Sequence, residues 1–90
     1  EEHLVAGKWT LFEFRSDTCA TCVTLETSLV RLARDKGIAL RRIDITQGGA
    51  AVEQHAIGAT PTLILFDSEG VMRLRVEGDL DAVRKALVGK

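Results

Sequence analysis

The chain has 90 residues, a formal net charge of -1 and an apolar content of 46%, which fits one domain, 1–90, with a modest core and a small stability margin. Its arginines are dispersed rather than gathered into the basic patch of a nucleic-acid binder, and it has neither an apolar run of about eighteen residues that would span a membrane nor a secretory apolar region. The lack of a secretory region favours the cytoplasm, while the start at Glu1 rather than Met keeps a periplasmic or other exported location open.

Taken in order, Lys8 to Phe14 (KWTLFEF) is rich in aromatic and β-branched residues and predicts a strand. Ala20 to Lys36 carries Val23, Leu25, Leu29, Val30, Leu32 and Ala33 at helical recurrence, and Gly37 suits the residue after a helix end. Ile38 to Ile45 predicts a second strand, parallel to the first across the crossover helix. A turn and a short helix follow, about Ala50 to Ala56, with His55 on its polar face. Thr62 to Phe66 is a nearly continuous apolar run, hence a buried strand. The turn residues DSEG lead to a returning strand, Val71 to Val76. Asp79 is placed to cap a last helix whose apolar stripe is Leu80, Val83 and Leu87. The predicted architecture is therefore α/β: a mixed four-stranded sheet in the order β-α-β-α-β-β-α, with helices on both faces.

The only cysteines are Cys19 and Cys22, in the stretch SDTCATC at the junction of the first strand and helix. A disulfide between them closes a tiny loop and constrains little of the unfolded chain, so a purely structural bridge has a poor rationale. A metal centre needs more ligands, and only His3 and His55 remain, at spacings unlike a zinc finger. A cluster shared by two chains would need thiolates from both. No metal is expected. A helix start offers unpaired N–H groups and a positive dipole end, which stabilise a thiolate. Lowering a thiol pKa from about 8.5 to about 7 corresponds to roughly 2 kcal/mol. A CxxC pair opening a helix inside a βαβ pattern reads as a redox motif. Asp17 and Thr18 are placed to cap that helix.

Three separated stretches resemble the thioredoxin superfamily: KWTLFEFRSDTCATC, the GATPTLILF segment roughly forty residues on, and the Glu77–Gly78 pair before the last helix. The resemblance runs from Lys8 to the C-terminus and implies a minimal thioredoxin-like fold, since only Glu1 to Gly7 precede the first strand. It departs from the common pattern in the Ala-Thr dipeptide between the cysteines and in Thr18, where a tryptophan is usual. Trp9 is expected to pack in the core or its rim.

The resemblance implies roles. Cys19 is the nucleophile and Cys22 the resolving thiol, supported at the helix start by Thr18, Ala20 and Thr21. Pro61 is implied to be a cis proline facing the pair, with Thr60 offering its backbone to an extended substrate; read without the resemblance, Pro61 simply starts a strand. Glu13 falls where thioredoxins keep a buried acid that relays a proton to or from Cys22, with Arg42 as a candidate partner. Its alternative is a glutamate on a solvent-facing strand position.

The expected function is thiol–disulfide exchange, as a protein disulfide reductase. It would act on disulfide-containing proteins and be reset by an external thiol reductant or reductase. It would need no cofactor beyond its redox-active disulfide, with glutathione an alternative reductant, and would work as a monomer. The rival is a redox-sensing binding or adaptor module on the same frame, using a sheet edge that the missing first strand leaves open.

Overall fold

The computed structural model describes residues 3–88. Its elements are β1 (Thr10–Arg15), α1 (Ala20–Lys36), β2 (Ala39–Asp44), α2 (Ala50–Gln54), β3 (Thr62–Phe66), β4 (Met72–Glu77) and α3 (Leu80–Ala86), with a 3-10 turn at Ile45–Gln47. The sheet order is β2-β1-β3-β4. Strand β1 runs parallel to β2 and antiparallel to β3, and β3 runs antiparallel to β4. The parallel pair requires a crossover, which α1 provides.

The two-residue period of the central strands sorts their side chains between two cores. Leu11, Leu63 and Leu65 pack with Leu29 and Leu32 of α1 and with Leu80, Val83 and Leu87 at α3. Phe12, Phe14, Ile64 and Phe66 pack on the other side with Ile43 of β2 and Ala51 of α2. Helices therefore cover both faces. Burying side chains of this size contributes roughly 1.5–3 kcal/mol each, so the two central strands, which take part in both cores, hold a large share of the apolar stabilisation.

Several boundaries shift for local reasons. The N–H of Lys8 bonds the Val5 carbonyl, so Lys8 belongs to a turn, and β1 starts at Thr10. Strand β2 stops at Asp44 because its carboxylate accepts from the Thr46 N–H at 2.9 Å and the Thr46 hydroxyl at 2.7 Å, which bends the chain into the 3-10 turn. These bonds hold the Asp44 carboxyl below its usual pKa. Asp67 organises the DSEG turn in the same way, accepting from the N–H groups of Glu69 and Val71 and from Arg73; those contacts lower its pKa too. Val71 is left outside β4 and exposed. Val23 and Val30, expected on the apolar stripe of α1, face solvent, because the buried face of that helix runs through Cys22, Leu29, Leu32 and Ala33. Trp9 is partly buried against the α1/α3 core, with the Arg73 guanidinium 5.6 Å from its ring centroid.

Helix α2 ends two residues earlier than expected, in a reversal that matters for the site. The N–H of Ile57 bonds the Val52 carbonyl, and the N–H of Ala56 bonds the Glu53 carbonyl. This is a Schellman closure, in which the residue after the cap is left-handed. Ala56 fills that position with φ of +50°. An alanine there is crowded by its own Cβ, at a cost of roughly 1–2 kcal/mol, part of which glycine would give back through its greater freedom in the unfolded chain. The Ala56→Gly variant is expected to gain up to about 1 kcal/mol, seen as a higher urea midpoint at unchanged slope.

Candidate active site

Strand β1 delivers the chain to a loop held by Ser16. The Cys19 N–H bonds the Ser16 carbonyl at 3.1 Å. The Ser16 hydroxyl accepts from the Thr18 N–H and lies 2.8 Å from the Thr18 hydroxyl. This occupies Thr18, and Asp17 turns outward to pair with Arg15 at 3.1 Å. Neither caps α1, contrary to the sequence expectation. The cap is Cys19 itself: its backbone is extended, and its Sγ accepts from the Cys22 N–H at 3.1 Å. The sulfur thus sits where a serine or aspartate oxygen ordinarily satisfies a helix-start donor.

Cys19 and Cys22 are joined as a disulfide, with their Cα atoms 5.2 Å apart. The two sulfurs have different surroundings. Cys19 is half-buried, while Cys22 is 1% exposed on the inner face of α1. Ala20, Thr21 and Val23 around them are exposed. In the reduced state, the Cys22 N–H and the positive end of α1 would favour a thiolate on Cys19. The first turn carries no acidic side chain to oppose it.

The Thr60–Pro61 segment reaches the same end of the sheet. Thr62 pairs with Phe14 of β1 on one side and with Glu77 of β4 on the other. Pro61 therefore lies level with the exit of β1 toward Cys19. The Thr60–Pro61 peptide is cis; Pro61 is buried and Thr60 half-buried. The Thr62 hydroxyl donates to the Ala59 carbonyl at 2.6 Å. Gly78, with φ of +72°, turns the chain beside Pro61, and a Cβ there would stand 3.7 Å from the proline ring.

Glu13 shares the face of β1 that Leu11 presents to α1 and α3, between Arg42 of β2 and Leu63 of β3. It is 0% exposed, and neither carboxylate oxygen has a hydrogen-bond partner. The solvent-facing alternative does not hold. Burial raises its pKa, against the opposing pull of Arg15 and then Arg42. Arg42 is not its hydrogen-bonding partner, as the sequence had suggested; it forms an ion pair with Glu26 on α1. A guanidinium opposite in register reached the exposed carboxylate instead of the buried one.

His55 also departs from expectation. It is 8% exposed, and its ring lies 5.9 Å from Phe14, 6.2 Å from Phe12 and 5.8 Å from Phe66. The short helix turns its C-terminal end toward the sheet, so the residue read as polar surface is packed among aromatic rings. Arg75 was legible in the sequence only as one of the dispersed arginines, with no site role. Its guanidinium donates to the carbonyls of His55 and Ala56. The available signal was strand parity, which puts Arg75 opposite Ile64 on the α2 side of the sheet. Among the described residues, no three His, Cys, Asp or Glu side chains are grouped so as to hold a metal ion, and no helix is long and apolar enough to cross a membrane.

Comparison with known proteins agrees with this geometry. The thioredoxin family profile matches residues 1–87. The thiol:disulfide interchange protein DsbD 2 of Pseudomonas aeruginosa is 30% identical over an 86-residue alignment that takes in 84% of this chain. The match spans only 15% of that relative's length. A point mutant of the thioredoxin from Halobacterium salinarum superposes with a TM-score of 0.80 at 28% identity, over 92% of this chain and 74% of that one. The thioredoxin of Fasciola hepatica superposes with a TM-score of 0.81 at 17% identity, over 93% and 82%, a likeness of fold. With a CxxC disulfide opening its first helix, a buried carboxyl in the adjoining strand and a profile match along nearly its whole length, the chain belongs to the thioredoxin family.

Proposed function

We propose that this chain is a thiol–disulfide oxidoreductase working as a protein disulfide reductase, with Cys19 as nucleophile and Cys22 as resolving thiol. The observation that carries the assignment of roles is the asymmetry of the pair. Cys19 is accessible and receives a helix-start N–H, while Cys22 is buried. The Cys19 thiolate attacks one sulfur of a substrate disulfide, forming a mixed disulfide and releasing the other substrate sulfur as a thiolate. Cys22, losing its proton, then attacks the Cys19 sulfur. The Cys19–Cys22 disulfide forms, and the second substrate sulfur leaves as a thiolate. Two electrons have passed to the substrate, its two thiolates take up protons from solvent, the Cys22 proton goes to Glu13, and an external thiol or reductase restores the dithiol. Glutathione would serve chemically as that thiol. The reaction needs one copy of the chain.

Glu13 is the proton acceptor for Cys22 in this reading. Burial raises its pKa above the usual carboxyl value, the direction in which a carboxyl becomes a better proton acceptor. Thr60 offers backbone groups to an extended substrate segment, next to Pro61. Thr18, Ala20 and Thr21 shape the approach to Cys19. The adaptor reading would use the free edge of β2, but exposed Arg41 and Arg42 place two charges on that strand, a feature that discourages strand addition. A reducing potential would favour the cytoplasm, and a more oxidising one an exported location.

With insulin as substrate and dithiothreitol as reductant, the wild-type chain is expected to turn over. Cys19→Ser should lower the rate by about a thousandfold or more. Cys22→Ser should stall as a mixed disulfide, detected by mass. Full activity in Cys19→Ser would sink the assignment.

Glu13 gives a second expectation. Replacing it by Gln should slow exchange about tenfold or more near neutral pH. Replacing it by Leu should also stabilise the fold by about 1–3 kcal/mol at neutral pH, because an unsatisfied buried polar group is removed. The sign with pH follows from the raised pKa. The folded chain holds the Glu13 proton more tightly than the unfolded chain, so its contribution is fully present below the unfolded value and is lost as pH rises through the folded one. The gain from Glu13→Leu should therefore shrink as the solution is acidified, as denaturant titrations at several pH values would show.

A further inference from the structure

The approach to Thr60 and Pro61 is built between two anchors. At its start, α2 ends in the Schellman closure with Ala56 left-handed. At and just past that helix end, the guanidinium of Arg75 donates to the carbonyls of the cap residue His55 and of Ala56 from a strand about twenty residues away in sequence. At its finish, the Thr62 hydroxyl holds the Ala59 carbonyl. Between them lie Ile57, packed against the aromatic core, and Gly58, which has no side chain to pack.

Two features suggest a purpose for the first anchor. Arg75 lies opposite Ile64 in register, so it projects on the face of the sheet that carries α2. Being on an edge strand, it does not fill the core: Leu74 and Val76, its neighbours, pack on the opposite side against the α1/α3 cluster. Its two hydrogen bonds fix the direction in which the backbone leaves Ala56, and that direction sets where the Thr60 backbone stands. A planar guanidinium can hold two carbonyls at once, which an ammonium cannot do with the same geometry.

We propose that Arg75 is a positioning residue for substrate recognition: by clamping the carbonyls of His55 and Ala56 it holds the 57–60 segment in the conformation that presents the Thr60 backbone to an extended disulfide-containing peptide. This rests on the reductase reading for its kinetic consequence, but its structural consequence stands independently. A small disulfide reagent, which needs only access to Cys19, does not use the Thr60 backbone and is indifferent to Arg75.

The test compares wild type, Arg75→Ala and Arg75→Lys with two substrates, insulin and a small aromatic disulfide. It adds hydrogen exchange of the peptide spanning residues 55–61 and the reduction potential of the cysteine pair. For Arg75→Ala, KM for insulin should rise about tenfold, which corresponds to about 1.4 kcal/mol. The rate with the small disulfide and the potential should stay unchanged, and exchange in 55–61 should accelerate by a similar factor. Arg75→Lys should fall between the two, and it serves alone if the alanine variant does not fold. An unchanged insulin KM, or an equal loss with both substrates, would overturn the proposal. If the wild type reduces neither substrate, the reductase reading has failed, and the exchange measurement judges the clamp by itself: unaltered exchange in 55–61 refutes it.

Discussion

Strand β1 is confined on every side, and the rest of the molecule is arranged by that confinement. It is hydrogen-bonded to β2 along one edge and to β3 along the other. Its residues Thr10 to Phe14 are all buried. Leu11 and Glu13 must face α1 and α3, and Phe12 and Phe14 must face α2. A one-residue slip would exchange the two sets, driving rings into the aliphatic core and the carboxyl among the aromatics. The register of β1 also fixes where the chain emerges, and so the position of the Ser16 loop and of Cys19.

The site uses that rigidity to combine unlike environments over one helical turn. Cys19 occupies a helix-start capping position that ordinarily stabilises oxygen, with an N–H directed at its sulfur. Cys22, three residues on, is enclosed. Beneath α1, Glu13 is held without a hydrogen-bond partner. A carboxyl in that state costs stability, and a small domain has little to spare. Retaining it makes sense if it handles a proton, and the fold offsets the cost through the apolar residues that flank it on both faces of the sheet.

Much of this was readable in the sequence, and the reasons differ by element. The order of elements followed from patterns that tertiary contacts reinforce: TLILF is apolar after its first residue because β3 is covered on both faces, and Asp79 does cap α3, accepting from the Ala82 N–H at 3.0 Å. The CATC stretch was visible because thiol spacing and a helix start are local properties. What escaped was decided by contacts distant in sequence. His55 reads as a polar residue at the end of a short helix, and nothing local shows that three phenylalanines will surround it. Arg42 lies opposite Glu13 in register, yet the geometry delivers its guanidinium to Glu26. The α1 cap was misplaced by two competing local bonds, Ser16 to Thr18 and Arg15 to Asp17, each as plausible from sequence as the cap itself.

The central claim is that Cys19 and Cys22 form a reversible two-electron couple poised for reduction of other disulfides. Equilibrating the protein in defined redox buffers, trapping free thiols by alkylation and weighing the products tests it most directly. The account predicts a single two-electron transition between the dithiol and the Cys19–Cys22 disulfide near the reducing end, about -270 mV. A transition nearer -120 to -180 mV, roughly the range of dedicated oxidants and isomerases, would contradict the reductase assignment while keeping the exchange chemistry. Absence of any intramolecular disulfide across the range would contradict the redox account as a whole.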